Sequence, residues 1–247
     1  AEDGIRDTSV TGVQTCALPI SSAIDALVIA NEVLDAMPVH VVRARNDGVD
    51  EVGVVADSDG FAWQTRTAAG ALLEAAQQLP IAPGCTTEIG LAAAAFTRTL
   101  AASIKRGAAI FIDYGFPARE FYHPQRSGGT LMCHYRHHAH ADPLCLVGLQ
   151  DITAHVDFSA IAGAAVDGGC ELLGYTGQAQ FLINCGITEL LSGTSAEDTE
   201  KYLPLAAEAQ KLTSPAEMGE LFKVIAYGRG LDFPLAGFTR GDRGYSL

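Results

Sequence analysis

Two short runs in this chain are apolar on both faces, and both end abruptly in polar residues. The first, ALVIA, is followed by Asn31 and Glu32, and the second, AAIFI, is followed by Asp113 and Tyr114. Such runs are typical of central parallel strands that are covered by helices on both sides. In open α/β sheets the ligand crevice lies beyond the carboxyl ends of these strands, so we expect a functional site there. Taken singly, each polar residue could instead cap a helix or start a turn.

The segment between the two runs predicts a different kind of structure. The stretches VHVVRA, VDEVGVV and FAWQTR are separated by the turn sequences NDG and DSDG. This pattern indicates a small meander of antiparallel strands, an insertion at about 39–66. Two helices are predicted after it, over 68–78 and 89–105.

The second half of the chain begins with a segment at about 116–150 that is rich in His, Gly and Pro. It predicts a long irregular loop, and such loops are usually functional or mobile. No linker or repeat divides the chain on either side of this loop, so we expect 21–247 to form one α/β domain. The later predicted elements are a helix capped by Asp157, a strand at 171–175, a helix at 178–185, a capping-box helix start at Ser214 and a closing strand at 221–227.

Charge and cysteine content narrow the classes of function. The formal net charge of −13 argues against a nucleic-acid binder and against a protein of anionic membrane surfaces. The most apolar run, GLAAAAFTRTLAAS, is too short for a membrane span and carries Arg98. The cysteines form no CxxC pair, which favours neither a disulfide framework nor a zinc knuckle. We therefore expect a reducing, cytoplasmic compartment.

The first twenty residues resemble a technical sequence and not a folded segment. AEDGIRD and VTGVQTCALPI correspond to the translation of a sequencing-library adapter, and neither has helical or strand periodicity. We expect residues 1–20 to be non-native and the true N-terminus to be missing. A native disordered tail is the alternative.

Histidine is concentrated in one stretch, GTLMCHYRHHAHADP. It holds His134, His137, His138 and His140, four of the seven histidines in the chain. Zinc sites favour closely spaced thiolates or two ligands on one face of a helix or strand. The flanking Pro and Gly residues predict that no regular element fixes these imidazoles. We assign no metal and expect a loop of His, Tyr and Arg that forms hydrogen bonds or stacks, with a metal site as the alternative.

Paired carboxylates follow the first apolar run. Glu32 and Asp35 are three residues apart and would share one face of a helical turn. They could bind a cation, act as a base or cap a helix. The chain has no nucleophile elbow, no phosphate-binding loop and no GxGxxG motif. The residues alone therefore predict an α/β domain with an acidic cleft at its strand ends.

Longer blocks resemble the MidA-like class I S-adenosylmethionine-dependent methyltransferases, which are related to the mitochondrial complex I assembly arginine methyltransferase. They follow one another over about 23–238 and read ANEVLDAMPVH, IFIDYGFPAREFYHP, RSGGTLMCHYRHHAHADP, GLQDITAHVDFSAIA, GYTGQAQFL and EMGELFKVIA. The resemblance implies a Rossmann-like sheet in which ALVIANE is the fourth strand, AAIFIDYG the fifth, and ELLGYT and LFKVIAY the terminal pair. The family's glycine-rich motif after the first strand has no counterpart here. We therefore expect a fragment, the C-terminal part of the sheet with its first strands missing and an open edge at 27–30.

The resemblance also implies the site. S-adenosylmethionine would be the cofactor, with Asn31 and Glu32 near its sulfonium, and Asn31, Glu32 and Asp35 would be the catalytic residues. Glu32 and Asp35 would hold a guanidinium, because a carboxylate binds that group through two hydrogen bonds. The His-rich loop would cover the mouth of the site, and the family is not known to depend on a metal. The implied substrate-binding residues are Asp113, Tyr114, His134, Tyr135, Arg136, His137 and His155.

The partner implied by the resemblance is a protein substrate, methylated on arginine. A non-catalytic assembly factor that binds a protein through the cleft is the alternative function, and a homodimer remains open. As given, the chain is expected to be poorly soluble, to bind the cofactor weakly and to be inactive, because an exposed apolar edge favours aggregation.

Overall fold

The structure of the chain is a computed structural model that describes residues 23–58, 60–136 and 138–247. Within them it is a mixed α/β fold with three sheets. The strands are β1 Ile24–Asn31, β2 His40–Ala44, β3 Val49–Asp57, β4 Gly60–Thr67, β5 Thr86–Ile89, β6 Ile104–Phe116, β7 Met132–Tyr135, β8 His138–His140, β9 Asp151–Thr153, β10 Val156–Asp157, β11 Glu171–Gly177 and β12 Phe222–Arg229. The α-helices are α1 Gly70–Gln77, α2 Leu91–Ser103, α3 Ala118–Phe121, α4 Phe158–Asp167, α5 Gln178–Asn184, α6 Ile187–Ser192, α7 Thr199–Thr213 and α8 Met218–Leu221, and two 3-10 helices follow at Ala236–Phe238 and Gly244–Ser246.

The main sheet has the strand order β1-β6-β12-β11. The two apolar runs lie in β1 and β6, which are parallel as predicted. β12 is antiparallel to β6, and β11 is antiparallel to β12. The last four residues of β6 extend past β1, and their end also pairs with β10.

Both faces of β6 are buried, which explains its continuous apolar run. Phe111 packs with Phe158 of α4 and Tyr227 of β12 in the larger core cluster. Ile110 and Ile112 point the other way and pack against a smaller cluster beneath the C-terminal segment. A strand covered on both faces has no solvent side, so its sequence does not alternate.

The outer edge of β1 is exposed. Within the described residues β1 pairs with β6 alone. Val28 and Ala30 pack against the main core, whereas Leu27 and Ile29 are exposed. The described residues thus place no strand on the outer side of 27–30, whereas the predicted loss of the first strands is not tested. Residues 1–22 lie outside the described ranges, and the prediction for 1–20 is not tested.

The predicted meander forms a separate antiparallel sheet with the order β4-β3-β2-β5. Helix α1 covers one of its faces, where Val42, Leu72 and Ile89 belong to a second core cluster. This sheet extends past the predicted boundary at about 66, because β5 pairs with β2. The four-residue strand β5 is followed almost directly by α2. The sequence pattern therefore placed Ile89, the last residue of β5, at the start of the predicted helix over 89–105.

The prediction of an irregular His-rich loop at 116–150 is wrong at 118–121, 132–135 and 138–140, where the structure has regular elements. β7 and β8 in this segment pair with β9 to form a third sheet with the order β8-β7-β9. Cys133, which is fully buried, pairs with His140 on one side and with Ile152 on the other. The flanking Gly and Pro residues lie outside these short strands and do not interrupt them.

The C-terminal prediction is partly wrong. Helices α6 and α7 were not anticipated, and Ser214 ends α7 instead of starting a helix. Its N–H donates to the carbonyl of Gln210 at 2.7 Å, so the Ser-Pro sequence follows a helix terminus. Asp157 does cap α4 as predicted, and it accepts hydrogen bonds from the N–H groups of Ser159 and Ala160. No helix in the described ranges is both long enough and apolar enough to cross a bilayer.

Candidate functional site

A cleft of about 630 Å³ lies at the carboxyl ends of β1 and β6, where the main sheet meets the third sheet. Its size is in the range of small-ligand sites. It brings together five of the predicted site residues, namely Glu32, Asp35, Tyr114, His134 and His155. The other lining residues are Ala36, Thr130, Met132, Asp151, Ile152, Thr153, Leu221 and Phe222.

Glu32 stands at the exposed rim in an uncommon backbone conformation. Its φ of 50° lies in the left-handed region, and its N–H donates to the carbonyl of Ile112 at 2.9 Å. The side-chain amide of Asn31 donates to Oε1 of Glu32 at 2.9 Å. Left-handed non-glycine residues are uncommon, and strained backbone tends to cluster at functional sites. The backbone of Glu32 is thus fixed to β6, and its carboxylate is held at the end of β1 by the amide of Asn31.

Asp113 organises the loop that follows β1. It is fully buried, and its Oδ2 accepts hydrogen bonds from the N–H groups of Leu34 at 2.9 Å and Asp35 at 3.3 Å. Its Oδ1 accepts from the N–H of Tyr114 at 3.0 Å. Burial, with a smaller contribution from Asp35, raises the pKa of Asp113 to about 7. The predicted substrate contact of Asp113 is corrected, because the side chain lies beneath the cleft and bonds to backbone.

Asp35 and Tyr114 form the floor of the cleft. The Tyr114 hydroxyl donates to Oδ2 of Asp35, which is only 4% exposed. Oδ1 of Asp35 is buried and has no hydrogen-bond partner among the described residues. Burial raises the pKa of the Asp35 carboxyl, although the Tyr114 hydrogen bond lowers it in part. A buried acceptor without a partner is costly, so a ligand that donates to Oδ1 would bind favourably here.

The position of His155 is set by a close approach of two strands. Val156 in β10 pairs with Gly115 in β6, and a Cβ at Gly115 would lie 2.1 Å from the Val156 carbonyl oxygen. Glycine is therefore required for this contact. The pairing sets the imidazole of His155 against Tyr114 and Phe116, with ring centroids 5.2 Å and 5.3 Å away.

His155 is neutral at neutral pH. Burial, with a smaller contribution from the positive charge of Arg126, lowers its pKa to about 4. Arg126 itself lies over the Phe116 ring, with its guanidinium carbon 3.8 Å from the centroid. Nδ1 of His155 is buried without a partner among the described residues. The imidazole therefore adds no positive charge to the cleft.

Glu88 ties the second sheet to this cleft, a role the sequence did not predict. Its carboxylate is buried and accepts hydrogen bonds from the N–H and the hydroxyl of Thr130, both at 2.9 Å. It also accepts from the N–H of Leu131 at 3.3 Å. The Thr130 oxygen in turn accepts from the N–H of His155 at 3.0 Å. Burial raises the pKa of Glu88.

The remaining predicted residues are dispersed. Tyr135 and Arg136 lie at the end of β7 and are not among the described residues that line the cleft. The Arg136 guanidinium carbon lies 5.3 Å from the Tyr135 ring centroid. His137 lies outside the described residues. Asp151 was missed because it reaches the cleft only through its pairing with His134 across β7 and β9.

The charge of the cleft favours a cation. Three carboxylates line it, those of Glu32, Asp35 and Asp151, and among the described residues no Lys or Arg does. No group of three or more His, Cys, Asp or Glu within the described ranges is arranged to hold a metal ion. The arrangement can therefore bind a positively charged organic group and accept its hydrogen bonds.

Residues 14–176 match a family described as putative S-adenosyl-L-methionine-dependent methyltransferases. The chain belongs to this family. It is 30% identical over 237 residues to a Drosophila melanogaster homologue of the mitochondrial protein arginine methyltransferase NDUFAF7, and covers 51% of that protein with 87% of its own length. The mouse NDUFAF7 is 30% identical over 210 residues, with 81% of this chain and 45% of that protein covered. The chain thus spans about half the length of these curated relatives.

Two crystal structures of proteins from Burkholderia thailandensis are similar to this chain. One is bound to S-adenosyl-homocysteine, is 52% identical and has a TM-score of 0.88, over 94% of this chain and 60% of that chain. The other is a native structure that is 53% identical, with the same TM-score.

Proposed function

We propose that this chain carries the substrate side of an S-adenosylmethionine-dependent methyltransferase that methylates arginine side chains of proteins. The observation that carries the proposal is the buried Oδ1 of Asp35, which has no partner among the described residues and belongs to a residue that lines the acidic cleft. A guanidinium is planar, always charged and rich in N–H donors, so it suits two neighbouring carboxylates. The names of the relatives support the same substrate class at about 30% identity.

The described residues fit one end of the cofactor. Asn31 and Glu32 offer an amide donor and a carboxylate acceptor at the exposed rim, beside the open edge of β1. No glycine-rich turn that could hold the adenosine lies within the described ranges. We propose that β1, β6, β11 and β12 are strands four to seven of a Rossmann-like sheet, and that the rest of the cofactor site is formed by other residues. When bound, S-adenosylmethionine supplies a methyl group on a sulfonium.

The chain's own residues would then act mainly by positioning. Asp35, oriented by Tyr114, and Glu32 at the rim hold the guanidinium between them. Asp35 fixes one nitrogen of the guanidinium, and the nitrogen that bonds to Glu32 is the one presented at the Asn31–Glu32 rim. Because His155 is neutral, it does not repel the cation.

Glu32 is the group we assign to the proton that the nitrogen gives up. Its Oε1 accepts the Asn31 amide, so Oε2 is the oxygen that takes the proton. Since Glu32 is exposed, the proton can pass from it to solvent. A positioned general base of this kind contributes about 10²–10⁴-fold to the rate.

The test is transfer of labelled methyl groups by the full-length gene product. The acceptor is an extract from a strain that lacks the gene, and mass spectrometry locates the methylated residue. We expect label on arginine, and a loss of about 10²-fold or more in Glu32→Gln. Glu74→Gln, on the exposed face of α1, is the matched control and should keep the parent rate.

Three results would contradict the proposal. Parent-like kcat/KM in Glu32→Gln would remove Glu32 from the mechanism. Label on a residue other than arginine would show that arginine is not the methylated residue. Tight binding of a protein partner without any transfer by the parent would favour the non-catalytic assembly factor.

A further inference from the structure

A second cavity, of about 760 Å³, opens beside the cleft and has a mainly apolar lining. It lies between the second sheet on one side and the 143–150 segment with β9 on the other. We call it the apolar groove, and its large apolar side chains are those of Val54, Phe61, Trp63, Leu144, Val147 and Ile152.

One wall of the apolar groove is the face of the second sheet that no helix covers within the described ranges. Residues paired across antiparallel strands share a face, and Val54 pairs with Trp63. Val42, on the opposite face, is buried in the cluster that α1 covers. Phe61 and Trp63 remain 52% and 44% exposed. Contiguous exposed apolar surface of this kind marks a binding surface.

The apolar groove is continuous with the acidic cleft. Both cavities are lined by Asp35, Ala36, Ile152 and Thr153. A ligand that extends from one to the other meets carboxylates at one end and aromatic side chains at the other. It therefore has to carry a cationic group and, a short distance away, a large apolar group.

A polar atom in the apolar groove suits a ligand that carries a hydrogen-bond donor, such as a polypeptide backbone. Gln150 lines the groove, and its Nε2 donates to the carbonyls of Pro143 and Cys145. Its Oε1 is buried and has no partner among the described residues. A backbone N–H is a suitable donor to this oxygen, whereas an alkyl chain offers none.

We propose that the apolar groove binds the substrate polypeptide beside the residue to be methylated and takes an aromatic or large aliphatic side chain of that polypeptide. This rests on the proposed function, because the cationic side chain of the same polypeptide enters the cleft. The substrate sequence recognised is therefore an arginine with a large apolar residue close to it along the chain.

The experiment is calorimetric titration of the full-length gene product with synthetic peptides, without cofactor. Each peptide is a Gly/Ser chain with one arginine, and a phenylalanine is stepped along both sides of it. Matched peptides carry serine in place of phenylalanine or citrulline in place of arginine. At the matching spacing we expect the phenylalanine peptide to bind about tenfold more tightly than the serine peptide, in line with burial of one aromatic side chain.

Two protein variants locate the effect. Phe61→Ser should abolish the preference for phenylalanine, and Phe233→Ser, at an exposed position outside the apolar groove, should keep it. Unfolding midpoints equal to that of the parent show that both variants are folded. Trp63 lines the groove, so a change in tryptophan emission on peptide binding that is lost in Trp63→Phe also reports occupancy of the groove.

The inference is overturned if phenylalanine and serine peptides bind equally at every spacing, or if the preference survives in Phe61→Ser. It is also overturned if an alkylguanidine binds as tightly as the peptide, or if Phe61→Ser changes only the oligomeric state, which would make the groove a contact between two copies. Methyl transfer is measured separately. If methyl transfer to arginine occurs but phenylalanine peptides bind no better than serine peptides, only the present inference is overturned. If phenylalanine peptides bind better but no methyl transfer occurs, only the proposed methyltransferase function is overturned.

Discussion

Replacing Tyr114 by Phe removes one hydroxyl from the floor of the cleft and leaves the ring in place. The ring keeps its edge contacts with His155 and Phe222, so the loss is confined to the hydrogen bond that Asp35 accepts. A hydrogen bond to a charged group contributes about 1.5–3 kcal/mol, and one between neutral groups contributes about 1 kcal/mol. We therefore expect Tyr114→Phe to lower the free energy of unfolding by about 1.5–3 kcal/mol where Asp35 is ionised.

The cost should depend on pH with a definite sign. Because burial already raises the pKa of Asp35, loss of the Tyr114 hydrogen bond raises it further. The variant is thus penalised most at alkaline pH, and the penalty falls to about 1 kcal/mol as acid protonates Asp35.

Urea unfolding at a series of pH values measures this difference, with Tyr245→Phe as the matched control. Tyr245 is 88% exposed, so the control should differ from the parent by less than about 0.5 kcal/mol. The reasoning would be refuted if Tyr114→Phe cost no more than the control, or if its cost did not shrink in acid.

Two other perturbations concern the buried groups around the cleft. His155 has its pKa lowered from 6.5 to about 4, so its contribution to stability is present above pH 6.5 and is lost as the pH falls through about 4. Relative to His155→Phe, the parent should lose at most about 3 kcal/mol over this window in urea unfolding, and parallel pH profiles would contradict the prediction. Glu88→Gln should cost about 1–3 kcal/mol because it turns an N–H group toward the donors of Thr130, whereas exposed Glu74→Gln should be neutral. Unchanged hydrogen-exchange protection of the Thr130 amide would show that Glu88 does not hold it.

The elements that the sequence predicted are those whose pattern is local. The run in β6 is apolar throughout because both of its faces are covered, and the run in β1 has the same composition although Leu27 and Ile29 are exposed. The meander carries its turn residues between alternating strands. Asp157 is recognisable as a helix cap because its partners lie two and three residues away. In each case the residues that reveal the element lie within a few positions of one another in the sequence.

The third sheet could not be predicted in the same way. β7 and β9 are short, and their stability depends on cross-strand partners such as Cys133 and Ile152. Asp151 enters the cleft only through that pairing. Asp113 was recognised as a strand-end carboxylate, but its backbone partners belong to a loop far away in the sequence. Only the folded arrangement distinguishes a buried support from a ligand-binding group.

Two of the three hydrogen bonds of Asp113 also constrain the order in which the site can form. The amides of Leu34 and Asp35 are 79 and 78 residues away from it in the chain. Contacts of such long separation form late, because the entropy of closing the intervening loop has to be overcome first. During synthesis the Asp35 loop leaves the ribosome well before Asp113, the residue that fixes it. The strands of the second sheet lie closer together in the sequence, so this sheet can fold first. We expect pulse-labelled hydrogen exchange to show the Leu34 amide gaining protection together with β6, after β2 and β3.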